Sequence, residues 1–287
     1  MTFLIWRLHR SQLLIAGGCL IALTALLLFL PKSEDHLIET IDYLTIGVPL
    51  LLGLFWGAPL LAKEFEEGTN SLAWTQCVTR RRWLNSNLLW MILVAAGWGA
   101  SVTAVVTWWS LSEISLGRSR LGPGPFDIQG IVPVAYSVFA VVLGVVVGAM
   151  LRRVVLAMAT TLAAFAAVRI VIAGLIRPHF MSPLSQVTPI GPDSGALPQG
   201  AWLLSNATYV GPNGRNYGAF VTSSQAPAAC RPGVSDSCLA NHGFHLLLTY
   251  QPADRFWAFQ GIETGLFVVL TACVVALAYR MVVTRDA

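Results

Sequence analysis

The stretch Ile131-Val-Pro-Val-Ala-Tyr-Ser-Val-Phe-Ala-Val-Val-Leu-Gly-Val-Val-Val-Gly-Ala-Met-Leu151, followed by Arg152-Arg153 and then by Val154-Val-Leu-Ala-Met-Ala-Thr-Thr-Leu-Ala-Ala-Phe-Ala-Ala-Val-Arg-Ile-Val-Ile-Ala-Gly-Leu-Ile176, decides the fold class of this 287-residue chain. A helix rising about 1.5 Å per residue needs about 20 apolar residues to cross about 30 Å of hydrocarbon, and both runs meet that length. Only two arginines separate them, so they read as consecutive membrane-spanning helices with positive charge at the junction. Four further segments qualify, 13–30, 41–61, 88–109 and 256–279. The fold class is therefore an all-α polytopic membrane protein with six spans.

Composition agrees with this reading. Hydrophobic residues make up 55% of the chain and charged residues 11%, with a mean hydropathy of +0.67. A water-soluble globule, in which roughly a quarter of residues carry charge, is excluded. Proline and glycine lie between apolar runs rather than in repeats, which excludes disordered and fibrous classes. The net charge of +4 does not call for nucleic acid, because basic residues of a membrane protein collect on its cytoplasmic side. Counted over alternate loops, ten lie on one side, among them Arg7, Arg10, Lys63, Arg80, Arg81, Arg82, Arg152 and Arg153; seven lie on the other, whose loops are more than twice as long. The first side is cytoplasmic, and an even number of spans places both termini there. Segment 13–30 follows Arg7 and Arg10 as a secretory signal would, but it ends in Phe29-Leu30-Pro31-Lys32 without a small-residue cleavage site, so it is read as a retained first span.

Residues 177–255 form the only large soluble segment, an exterior domain holding nine of the 15 prolines. Turn signals such as Gly211-Pro212-Asn213-Gly214 predict a loop-rich domain with a hairpin around 202–221 and a short strand at 244–250. Cys230 and Cys238 both lie here, and in an oxidising compartment they read as a disulfide closing a small loop; the alternative is two free thiols. The segment carries no catalytic signature, and neither does the rest of the chain. There is no phosphate-binding Gly-Lys-Ser/Thr loop, no His-Glu-x-x-His, no Cys-x-x-Cys and no Gly-x-Ser-x-Gly. His242 and His245, three apart beside Gly243, read as solvated or packing histidines, and no metal site is expected. The chain is not read as an enzyme.

The most informative loop is the cytoplasmic one, 62–87. Lys63-Glu64-Phe65-Glu66-Glu67 continues the second span as an acidic helix that Gly68 stops, since glycine takes the left-handed conformation of a helix end readily. Thr69, Asn70 and Ser71 can cap a short helix over 72–78, containing Leu72 and Trp74, and Thr79 can cap the third span. Arg80, Arg81 and Arg82 then lie at lipid headgroups. The plainer reading is a charged loop that anchors two helices.

The order Glu66-Glu67-Gly68-Thr69, short helix, Thr79-Arg80-Arg81-Arg82-Trp83 resembles the type-two class of permease subunits from ATP-binding-cassette exporters. Six spans, an internal N-terminus and an amphipathic start, with Phe3, Trp6 and Leu8 beside Arg7 and Arg10, are similar to the same class, whose first helix, here 1–12, lies along the membrane surface as an elbow. Phe55-Trp56-Gly57-Ala58-Pro59-Leu60-Leu61-Ala62-Lys63-Glu64, Val132-Pro133-Val134-Ala135-Tyr136 and Arg255-Phe256-Trp257-Ala258-Phe259-Gln260-Gly261-Ile262-Glu263 resemble segments of permeases from high-GC Gram-positive bacteria. The resemblance implies a separate cytoplasmic ATPase subunit that holds ATP and magnesium, with no cofactor in this chain. It also implies a coupling helix after Gly68, a second permease half, identical or not, and a bacterial cytoplasmic membrane. Glu64, Glu66 and Glu67 would then supply charge complementarity to the ATPase, which sets register and association rate more than affinity. The exterior segment is larger than in the simplest members.

Ionisable residues inside spans are functional candidates, since a central Arg costs about 2.5–3.5 kcal/mol on insertion scales. Asp42, Arg169 and Glu263 all fall toward the outer ends of their spans. They read either as an ion-pair network locking helices together or as an outer gate in which Arg169 and Glu263 part during transport. Phe55, Trp56 and Trp98 lie deeper and read as an apolar substrate path or as packing. Trp108, Trp109, Trp257 and Tyr279 read as interfacial belts. Gly53 and Gly57, like Gly144 and Gly148, have the spacing that lets helices approach closely, and Pro49, Pro59 and Pro133 can kink their spans. Two competing functions remain: a structural or sensory membrane protein, which needs no nucleotide partner, and an intramembrane enzyme, which needs facing acids.

Overall fold

The structure, a computed structural model, describes residues 18, 21–25, 27–28, 35–66, 80–115, 119–191, 197–205 and 207–284. The chain divides into two compact units, one of residues 1–111, 127–169 and 260–287 and one of residues 112–126 and 170–259. Among the described residues, five helices are long and apolar enough to cross a membrane. Of the expected first span only 18, 21–25, 27 and 28 are described, all helical. The expected elbow helix, with Phe3, Trp6, Arg7 and Arg10, lies outside the described residues.

In the first unit, helix α1 (Asp35–Leu52) runs without a break through a π-helical turn (Gly53–Gly57) into α2 (Ala58–Glu66). Pro59 has no N–H to donate, and immediately before it the Ala58 N–H bonds the Gly53 carbonyl, five residues back instead of four. The register slip thus falls next to the residue that cannot continue the ladder. Helix α3 (Arg80–Ser115) is longer than the span expected at 88–109 and reaches about 54 Å at 1.5 Å per residue, well beyond a hydrocarbon core. A four-residue helix, α4 (Pro125–Ile128), precedes α5 (Val132–Leu151), of whose 20 residues 14 are buried. Helix α6 (Val154–Val171) continues into a π turn (Ile172–Ile176) and a 3-10 turn (Arg177–His179).

Helix α5 is the centre of the first unit because small residues let its neighbours approach the backbone itself. A Cβ on Gly144 would lie 2.5 Å from the Gly53 carbonyl oxygen and 2.7 Å from the Ala58 nitrogen. One on Gly57 would lie 2.5 Å from the Val141 carbonyl. The paired glycine spacings thus face each other across α5 and the π turn. We expect Gly144→Ala to cost about 1–3 kcal/mol through overpacking and to lower the detergent unfolding temperature by several degrees. Gly97→Ala, where an added Cβ meets nothing within 4 Å, should leave it unchanged. At its far end α5 stops on Arg152, which takes the left-handed conformation (φ 53°) and donates its N–H to the Gly148 carbonyl. The chain thereby reverses into α6 within two residues.

The second unit differs from the loop-rich expectation. It contains a five-stranded antiparallel sheet made of β1 (Leu184–Pro189), β2 (Trp202–Leu203), β3 (Thr208–Val210), β4 (Asn216–Gly218) and β5 (His245–Gln251). The order is β1-β5-β3-β4, with β2 also paired to β5. Strands β3 and β4 form a hairpin through Gly211–Gly214, and Gly214 has the positive φ (75°) that this turn requires. Strand β5 is the expected strand at 244–250, whereas β1 carries no strong alternation and was not foreseen. A small core of Ile190, Val221, Ala226, Cys230, Leu239, Phe244 and Leu246 packs under the sheet and under the short helix α7 (Asp236–Asn241). Cys230 and Cys238 are joined in a disulfide. The last helix, α8 (Phe256–Thr284), follows β5.

A candidate outer gate: a buried ionic cluster

Four helices of the first unit converge on one charge cluster. Asp127 comes from α4, Tyr136 from α5, Arg169 from α6 and Glu263 from α8. The guanidinium of Arg169 lies 3.2 Å from Asp127 Oδ1 and 3.4 Å from Glu263 Oε1, and stands 3.7 Å over the Tyr136 ring. The Tyr136 hydroxyl lies 3.2 Å from Asp127 Oδ1 and contacts Glu263 Oε1. Glu263 is fully buried, and Asp127 and Arg169 nearly so. Phe267 meets the Tyr136 ring edge-on at 4.7 Å, and Phe139 meets Phe267 at 5.3 Å and Phe165 at 6.1 Å. Such an apolar collar lowers the local dielectric and strengthens every charge interaction inside it.

Beside this cluster runs a chain of buried amides. Gln260, fully buried on α8, accepts the N–H groups of Ile131 (3.0 Å) and Val132 (2.9 Å) on its Oε1 and donates its Nε2 to the Gln129 carbonyl at 3.0 Å. The first N–H groups of a helix have no partner within the helix, so a side chain from another helix caps α5. Gln129 in turn donates to Ser110 Oγ at 3.0 Å, tying α3 to the same point. Gly130 (φ 76°) leaves the room Gln260 needs, because a Cβ there would lie 2.6 Å from Gln260 Oε1.

The structure therefore brings together Arg169 and Glu263 but adds partners that sequence reading missed. In the sequence Asp127 falls in a loop between expected spans, and Tyr136 stands out only as part of a motif. The available signal was Asp127 inside the apolar stretch Pro125-Phe126-Asp127-Ile128, a place where a solvated acid is uncommon. Asp42 lies on α1, but its side chain is outside the described residues. Trp56 and Trp98 do meet, with ring centroids 6.5 Å apart, while Phe55 is exposed. Trp109, expected at an interface, is buried against Leu27, Val102, Val106 and Ile128.

Of the residues expected to couple to an ATPase, Glu67, Gly68, Thr69, Leu72 and Trp74 lie outside the described residues. Arg80, Arg81 and Arg82 open α3, and Glu64 lies in α2, without described side chains. Glu66 is described: its Oε2 accepts the Val154 N–H at 3.0 Å and so caps α6. One of the three acids expected to face an ATPase is thus engaged within its own chain. In the second unit, the Tyr209 hydroxyl donates to Asp236 at 2.7 Å; that hydrogen bond, with burial and the neighbouring negative charge, raises the phenol above its ordinary pKa. Arg120, 4.0 Å over the Phe256 ring, is lowered by burial.

Residues 16–177 match the ABC-2 membrane transporter related family. The chain belongs to this family. The match takes in more than half of the chain, including α1 to α6, the loop at 62–87, and Asp127, Tyr136 and Arg169. No curated protein and no solved structure matches the chain. Family membership points to a multi-pass permease of an ATP-binding-cassette transporter and implies partnership with ATP-binding-cassette ATPase components. A transport permease is not itself an enzyme.

Proposed function

We propose that this permease is the transmembrane half of an ATP-driven exporter, working as a dimer of six-span halves in a bacterial cytoplasmic membrane with both termini cytoplasmic. ATP and magnesium are held by a separate ATPase. The observation that carries the reading is the family match over 16–177, which includes the acidic-Gly-Thr-basic loop. In this mechanism the segment at 72–78 is the coupling helix. ATPase closure displaces it and with it the ends of α2 and α3 that flank it. Because α2 and its π turn touch α5 backbone to backbone, the displacement passes to α5, whose other end carries Tyr136 and the Gln260 cap. Parting of Arg169 from Asp127 and Glu263 then opens the outer gate, the Trp56–Trp98 pair lines the apolar path, and the cargo is amphipathic.

The test is co-purification of an ATP-binding-cassette ATPase with the tagged permease, followed by ATPase assay in lipid. Glu64→Lys with Glu67→Lys should cut capture or coupled turnover at least about tenfold, because reversed charge opposes docking by several kcal/mol. Glu66 is left intact in this design, since its carboxylate caps α6. Full capture and full coupled turnover in the double variant would overturn the docking role.

A further inference from the structure

The disulfide of the second unit has a third polar group against it. His242 follows Cys238 by one helical turn, and its Nδ1 lies 3.5 Å from Cys230 Sγ and 3.9 Å from Cys238 Sγ. All three atoms lie within 4.8 Å of one another. A cation bound to thiolates at about 2.3 Å and to imidazole nitrogen at about 2.0–2.1 Å holds sulfur and nitrogen about 3.5–3.8 Å apart. The Cys230 separation is thus already that of a ligand set and the Cys238 separation, at 3.9 Å, is slightly wide of it, so the main movement required is that the two sulfurs part, from a bond to about 3.8 Å.

We propose that Cys230, Cys238 and His242 form a binding site for a thiophilic cation of the Zn2+ or Cu+ class, closed by the disulfide and opened by reduction. An external dithiol supplies two electrons and two protons, becoming a disulfide as the Cys230–Cys238 bond becomes two thiols. The entering cation displaces both thiol protons. His242 Nδ1 now contacts the Cys238 carbonyl at 2.9 Å; for ligation it turns its lone pair to the metal and carries its proton on Nε2. Two soft sulfurs and one imidazole suit these ions and not magnesium or calcium. The anchoring is unequal: Cys230 is buried in the small core, Cys238 is half-buried and His242 is exposed, so the half-buried sulfur is the one a reductant reaches. His245, three residues on, instead contacts the Gly243 carbonyl through its Nδ1.

The experiment uses the full chain in lipid nanodiscs with Cys19, Cys77 and Cys273 replaced by Ser, so that no other thiol competes. The disulfide form and a form reduced with a water-soluble phosphine, whose oxide takes its oxygen from water, are each equilibrated with Zn2+ and desalted, and bound zinc is measured. The proposal expects about one Zn2+ per chain in the reduced form and none in the disulfide form, with zinc protecting both thiols from alkylation. Cys230→Ser and His242→Ala should each weaken uptake at least about tenfold. The His242→Ala variant changes an exposed side chain, and its fold is checked in the disulfide form by circular dichroism. Equal zinc uptake in both redox forms, or uptake indifferent to His242→Ala, would overturn the site. Loss of strand signal on reduction that zinc does not restore would also overturn it, leaving the bridge a purely structural staple.

Discussion

Arg169→Leu should destabilise the permease by about 3–5 kcal/mol, the range found when one partner of a buried ion pair is removed. The unfolding temperature in detergent should fall by roughly 10 °C, at about 2–4 °C per kcal/mol for a chain of this size. The reason lies in what is left behind. Without the guanidinium, Asp127 and the fully buried Glu263 lose a cation that now lies within 3.4 Å of each, while both remain at the Tyr136 hydroxyl. Arg169→Leu combined with Asp127→Asn and Glu263→Gln should recover much of the loss, because the two carboxylates that Arg169 now neutralises are then uncharged as well. Exchanging Arg169 and Glu263 should not restore stability. Asp127 sits 3.2 Å from the present guanidinium and would oppose a carboxylate at position 169. A measured loss below about 1 kcal/mol for Arg169→Leu would mean that water screens the cluster as it does a surface pair. In a transport assay, an outer gate predicts that the neutral triple variant leaks cargo while still assembling with its ATPase. A mere structural lock predicts unchanged tightness.

Gln260→Leu is the second large effect. Leucine fills a similar volume but leaves the Ile131 and Val132 N–H groups and the Gln129 carbonyl buried without the partner they have now. Each stranded group costs about 1–3 kcal/mol, so a total of about 3 kcal/mol or more is expected in the same unfolding assay. Gln260→Glu separates the two halves of the interaction. A carboxylate still accepts both N–H groups and suits a helix N-terminus, but it cannot donate to Gln129, so its loss should be about half that of Leu. Equal losses for Leu and Glu would show that packing, not capping, holds this side chain.

Much of the architecture was legible in composition and run length. Two of the six apolar runs, 88–109 and 256–279, lie within helices that reach or exceed the expected limits, 131–151 matches α5 to within one residue, and 41–61 and 154–176 each contain a change of hydrogen-bond register, at Gly53–Gly57 and Ile172–Ile176. The paired glycines announced a close helix contact, which the structure places between the π turn and α5. Less visible were the sheet, where β1 has no clean alternation, and the charge cluster, where two of four members looked ordinary. Asp127 resembled a loop acid because four residues of helix are too few to show periodicity. Trp109 resembled an interfacial anchor because position along a span says nothing about which way a side chain faces.

By itself, the sequence determined that this chain lies in a membrane, that its long apolar runs are helices, and to which family it belongs. In lipid the backbone must satisfy its own hydrogen bonds, so a long apolar run has almost no choice but to be a helix. Which side chains meet was decided only by tertiary structure. A helix apolar on every face carries no stripe to fix its rotation, so the convergence of Asp127, Tyr136, Arg169 and Glu263, and the capping of α5 by Gln260, depend on how helices distant in sequence cross and turn toward one another. Small residues on α5 and pairing of the few buried polar groups supply that information, because in hydrocarbon close packing and satisfied polar contacts, rather than hydrophobicity, distinguish one arrangement from another.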